Sequence, residues 1–199
     1  GLIVQYSPIS HYHLGGYMKH LDLIDEMFFK NNPISYLKNK EGQMIGDNNQ
    51  YVLGLKAGPS CELQNLLHEM SHLVEIDRKR LIKKPVTSWG LKPGKYWQIG
   101  TSWGYEPQTD QSVQREIRVW AYQHSISKAF HLEDGSPKDL ARSAHWLDAF
   151  FLYKHYTVGT NSEAIAIQNI AWQIEELSDK VFTYDRFCQE WDDRMKLIA

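Results

Sequence analysis

The stretch Leu63 to Asp77, LQNLLHEMSHLVEID, decides how the rest of the chain is read. At its centre stand His68, Glu69 and His72. On a helix, positions four apart differ by about 40° around the axis, so both imidazoles project from one face. Leu63, Leu66, Leu67, Met70, Leu73 and Val74 form an apolar stripe on roughly the opposite side. Such a helix can pack its back on a core and turn its histidines towards a cleft. Two imidazoles on one face are two of the ligands a tetrahedral zinc needs, at Zn–N of about 2.0–2.1 Å. A glutamate beside the first histidine can serve as general base for a metal-activated water. With 9 His and 12 Glu in 199 residues, chance gives about 0.02 such patterns. The competing explanation is a solvated helix face that happens to carry two histidines and two glutamates.

Working outward, 199 residues suffice for one substantial core, or two small lobes around a cleft. With 42% hydrophobic and 23% charged residues, the composition is that of an ordinary soluble globular protein. A net charge of −2 gives no general attraction to nucleic acid or to membranes. No apolar run reaches the ~18–20 residues of a membrane span. The opening GLIVQYSPIS lacks the basic start and long apolar centre of a signal peptide, so a cytoplasmic protein is expected. The chain starts without Met, which leaves room for a removed leader. Cys61 and Cys188 have no metal-like spacing; one disulfide is possible, and two reduced thiols is the simpler reading.

Upstream of the motif, Leu2 to Tyr6 is a short β-like run. His11 and His13 alternate with Tyr12, a pattern that fits either a metal pair or a solvated strand. Tyr17 to Lys30 has helical spacing and is stopped by Asn31-Asn32-Pro33. Ile34 to Leu37, Met44-Ile45 and Tyr51 to Lys56 read as a hairpin or small meander. The last of these leads through Gly58-Pro59 to Ser60, a reasonable N-cap for the motif helix. An open edge on that strand could hold an extended peptide beside a metal.

Downstream, Arg78-Lys79-Arg80 and Lys83-Lys84-Pro85 read as the basic end of the motif helix, where the macrodipole favours cations. Pro85 to Pro107 has no helical period and holds Trp89, Tyr96, Trp97, Trp103 and Tyr105. It reads equally as a lid over a cleft and as a satellite hairpin. The remainder is helical. One helix runs from Asp110 to Phe130. Another runs from Pro137 to Tyr156 behind Ser136 as N-cap, a third from Asn161 or Ser162 to Lys180, and a last from Tyr184 to Leu197 behind Thr183.

A catalytic zinc has three protein ligands and one open position. For the third, Glu116 stands out. It lies on the next long helix, on a flank with Val119, Gln123, Ile126 and Phe130, where a buried carboxylate needs a cation or a metal. An ion pair with Arg115 or Arg118 would satisfy it as well. Glu75, His124, Glu106 and Asp110 are the other candidates. Glu75, one turn beyond His72, is placed to orient a ligand rather than to bind. Tyr105, Tyr122, His124 and His145 could each steady a developing oxyanion. His145 and His155 fit a core or surface role at least as well.

His68-Glu69-Met70-Ser71-His72, with Glu116 behind it, resembles the zincin superfamily of metallopeptidases, and within it the glutamate-ligand branch, the gluzincins. The segment after His72 lacks the glycine and third histidine of the metzincins. The chain also departs from the thermolysin-like pattern, because Trp120 stands where that pattern has Asp. The resemblance implies an α+β, predominantly helical, zincin-like fold in a single domain over 1–199. Within it, residues 1–82 would form a small N-terminal sheet plus the active-site helix, 83–109 an aromatic loop, and 110–199 a C-terminal helical bundle. It implies Zn²⁺ held by His68, His72 and Glu116, with Glu69 as general base and a protein or peptide as substrate. Two other readings stay open: a zincin-fold regulatory or binding protein without catalysis, and a metal-free helical protein with a coincidental motif.

Overall fold

Where periodic apolar residues have something to pack against, they become helices. The protein, seen in a computed structural model that describes residues 20–36, 51–53, 63–85, 97–101, 110–143 and 163–199, is mostly helical with one small sheet. It falls into two compact units, residues 1–103 together with 188–199, and residues 104–187. Residues 188–199 belong with the first unit.

In the first unit, α1 (His20–Ile24) widens into a π-helical turn over Asp25–Phe29. The expected α-helix over 17–30 is therefore α-helical only in part among its described residues. Lys30 N donates to Asp25 O at 2.9 Å, the wide bond of that turn. The turn is held from outside. Phe28 O accepts from Asn32 Nδ2 at 2.6 Å and from the indole Nε1 of Trp191 at 3.2 Å. Tyr36 donates its hydroxyl to Asp25. Trp191 meets Phe28 and Phe29 edge-on at 5.8 and 5.6 Å, and Phe29 meets Tyr36 at 4.8 Å. All four rings are buried.

The sheet contains β1 (Ile34–Ser35), β2 (Tyr51–Leu53), β3 (Leu81–Pro85) and β4 (Trp97–Thr101), in the order β1-β2-β4-β3. Here several expectations are corrected. β1 and β2 pair in parallel, Ile34 opposite Tyr51, so they are not the arms of a hairpin. β2 also pairs in parallel with β4, Leu53 opposite Ile99. At Tyr51 and Val52 it is thus an inner strand, paired on both sides rather than open to a peptide, while the rest of the expected strand, 54–56, lies outside the described residues. The basic stretch after the motif helix is not its tail. Arg78–Arg80 form a 3₁₀ turn, capped by Asp77 Oδ1 accepting from Lys79 N at 3.0 Å, and Lys83 and Lys84 lie in β3. β3 and β4 run antiparallel, Leu81 opposite Thr101 and Pro85 opposite Trp97, so the aromatic segment contributes Trp97–Thr101 to the sheet, and its residues 86–96 and 102–107 lie outside the described residues. Among the described strands β3 stands at the end of the order. Met44-Ile45, residues 1–19, Ser60 and Cys61 lie outside the described residues.

The motif helix, α2 (Leu63–Glu75), packs on Leu66, Leu67, Met70, Leu73 and Val74, all buried, so the apolar stripe is the packed face. Ser71, also buried, satisfies its hydroxyl by donating to Leu67 O at 2.7 Å.

The second unit is built on α3 (Asp110–Ala129), α4 (Pro137–Arg142) and α5 (Glu163–Lys180). Val113, Ile117 and Trp120 of α3 share a core with Leu140 and Ala141 of α4 and with Ala166, Ile170, Ala171 and Ile174 of α5. α3 ends in a Schellman turn. His131 takes the left-handed conformation (φ 54°), Leu132 N donates to Ser127 O at 2.8 Å, and His131 N donates to Lys128 O at 3.3 Å. Ser136 caps α4 as expected, accepting from Asp139 N at 3.1 Å ahead of Pro137. Beyond residue 143 the expected continuation to Tyr156 lies outside the described residues. α6 (Tyr184–Ile198) opens with Thr183 Oγ1 accepting from Arg186 N at 3.2 Å. None of the described helices is long and apolar enough to cross a membrane.

Candidate metal centre

Helical spacing puts His68 and His72 side by side on α2, and the structure gives the distance. Their Nε2 atoms are 3.1 Å apart, and the rings meet edge-on at 4.7 Å and 82°. A tetrahedral ion with Zn–N of about 2.05 Å separates two ligand nitrogens by about 3.3 Å. The pair therefore stands close to chelating geometry, with both imidazoles half-buried. Two Nε2 atoms this close need either one proton or one cation between them.

Glu116, on α3, is also half-buried, while its neighbours on that flank, Val119, Gln123, Ile126 and Phe130, are buried. One ligand atom from each of His68, His72 and Glu116 lies within 4.8 Å of the others. The donor set is two imidazoles and one carboxylate, which suits zinc and leaves one position of a tetrahedron for water or substrate. Glu69 is half-buried on α2 next to His68, about 100° around the helix from it. Glu75 is half-buried on the following turn and does not join the group of three.

The other sequence candidates sit elsewhere. His124 is eight residues along α3 from Glu116, about 12 Å of helix rise. Its Nδ1 is 2.8 Å from Gly135 O, so it ties the end of α3 to the loop before α4. Tyr122 is buried and packs edge-on against Phe182 at 5.0 Å and Phe187 at 6.0 Å, a core position in the second unit. Asp110 is the first residue of α3. Tyr105, Glu106, His11, His13, His145 and His155 lie outside the described residues.

One residue bearing on the motif helix had no signal in its own neighbourhood. Arg194 of α6 is 4% exposed and donates through one guanidinium nitrogen to Val74 O at 3.1 Å and Ile76 O at 2.7 Å. Val74 lies in the last turn of α2 and Ile76 directly follows it. The cation at the helix C-terminus is therefore Arg194, and not the basic run that follows in sequence. Arg78 of that run pairs with Asp193 at 2.6 Å.

Comparison of the chain with protein-family models, with curated proteins and with solved structures finds no match.

Proposed function

We propose that the protein is a zinc-dependent metallopeptidase of the zincin type, in its glutamate-ligand branch. The observation that carries this reading is the approach of His68, His72 and Glu116 to within 4.8 Å at their ligand atoms. His68 and His72 would hold the ion through Nε2, and Glu116 through a carboxylate oxygen. Zinc held there supplies Lewis acidity, polarising a carbonyl and lowering the pKa of water towards about 7. Glu69, adjacent in sequence to the first ligand, takes the proton from the attacking water and returns it to the leaving amine. The protein or peptide nature of the substrate comes from the family resemblance of His68 to His72.

The test has two steps. Protein purified without chelator should carry close to one zinc per chain. Glu69→Gln should then keep metal and fold but lose peptide hydrolysis by at least the 10²–10⁴-fold typical of a general base. A zinc content near zero, or full turnover by Glu69→Gln, sinks the proposal. A regulatory binding role is the second reading, favoured by Trp172, which stands 63% exposed on α5. A biological effect that survives Glu69→Gln would decide for it.

A further inference from the structure

We infer that Arg194 is a positioning residue for the metal site, acting through the C-terminal end of α2; this rests on the zinc reading of His68 and His72. The last carbonyls of a helix have no partner within it. In α2, His72 O is met by Ile76 N at 3.1 Å. Val74 O and Ile76 O are met by Arg194, from a helix 120 residues later in the chain. The guanidinium does not hang loosely there. Its other terminal nitrogen donates to Glu190 Oε2 and Asp193 Oδ2, each at 3.1 Å, and Asp193 in turn holds Arg78 just beyond α2.

A planar fork fixed on one side by two carboxylates thus sets where the final turn of α2 ends on the other. His72 belongs to that turn. The distance from His72 Nε2 to His68 Nε2 depends on the turn staying wound, because both rings are carried by the same helix. Arg194 touches neither histidine ring in any bond described above. It acts by holding the backbone that carries them.

The experiment uses the full chain stripped of metal and titrated with Co²⁺, read by its visible absorption. It compares the unaltered protein with Arg194→Met, and with the double variant Glu190→Gln, Asp193→Asn, which keeps the arginine but releases its fork. Hydrogen exchange across residues 63–80 is followed in parallel. Arg194→Met should bind Co²⁺ about tenfold more weakly, the lower end for residues that orient ligands. The bound ion should show an altered absorption band, and exchange should accelerate at the α2 C-terminus. The double variant should shift in the same direction by a smaller factor, and it decides the matter if Arg194→Met does not fold. Affinity and band both unchanged in a folded variant overturn the inference and leave the metal reading standing. Absence of Co²⁺ binding by the unaltered protein overturns the metal reading and the inference with it.

Discussion

Replacing Trp191 by alanine should destabilise the first unit by about 4–6 kcal/mol, built from a buried Trp-to-Ala truncation of about 3–5 kcal/mol and the loss of two edge-on ring pairs of about 0.5–1.5 kcal/mol each, which partly overlap with it. Trp191 is fully buried, touches Phe28 and Phe29, and donates to Phe28 O. The carbonyl is not orphaned by the change, since Asn32 Nδ2 also donates to it. For that reason Trp191→Phe, which keeps a ring in the cluster, should cost only about 1–2 kcal/mol, one net hydrogen bond plus a small residual void. Trp172→Ala is the internal control. Its side chain is 63% exposed, so the same truncation should fall within about 0.5 kcal/mol of zero. Urea unfolding followed by circular dichroism measures all three. With a slope near 2 kcal/mol/M, the Trp191→Ala midpoint should drop by about 2–3 M. A loss below about 2 kcal/mol for Trp191→Ala, or one as large for Trp172→Ala, would show that the aromatic cluster does not carry the first unit's stability in the way its geometry implies.

Four further outcomes are expected. Zinc at about 100 times its Kd should raise stability by about 2.7 kcal/mol, visible as a higher melting temperature that chelator reverses and that His68→Ala or His72→Ala abolishes. Because metal and protons compete for the same imidazole nitrogens, the zinc-induced increment should shrink as pH falls; an increment independent of pH between 5 and 8 contradicts histidine ligation. Ser125→Ala should cost about 1–3 kcal/mol in chemical denaturation, since Ser125 Oγ donates to Phe182 O at 2.7 Å and meets the buried Ser178 hydroxyl, and a neutral result would mean neither group needs it. The Lys180 ammonium has its pKa raised by its hydrogen bond to Glu176 at 2.7 Å and by that residue's charge. A raised pKa in the folded state means the pair contributes below the unfolded lysine value and is lost as pH rises through the folded one. Glu176→Gln should therefore lower the Lys180 titration midpoint seen by NMR, and an unmoved midpoint removes Glu176 as the cause.

Local periodicity made α2 readable because its stripe, Leu66 to Val74, is the face it buries. The caps at Ser136 and Thr183 were readable for the same reason, since their bonds close within three residues. What the sequence hid depends on distant partners. Lys83 and Lys84 look like a helix's basic end until they are paired opposite Ile99 and Gln98. The parallel match of Ile34 with Tyr51 leaves no mark in either segment, because parallel strands share no turn. The π-helical turn at Asp25–Phe29 follows apolar spacing that suits an α-helix, and its wider path is accompanied by donors from Asn32 and Trp191. In the candidate site, the histidine pair follows from spacing on one helix. The membership of Glu116 in the group does not, because no local spacing rule links residue 116 to residues 68 and 72. Nothing local marks Arg194: Glu190 lies four residues away, a spacing common to surface pairs, and only its burial against Val74 and Ile76 distinguishes it.

The return of residues 188–199 to the first unit also bears on the order of synthesis. These residues leave the ribosome after every other part of that unit. Until they emerge, Phe28 and Phe29 lack Trp191, and Val74 O and Ile76 O lack Arg194. A nascent chain halted before residue 188 should therefore hold its histidines on a fraying helix. Pulse-labelling of stalled chains with amide exchange across residues 63–76 reads this directly; a fully protected α2 in a chain ending at 187 would show that the helix needs no late partner.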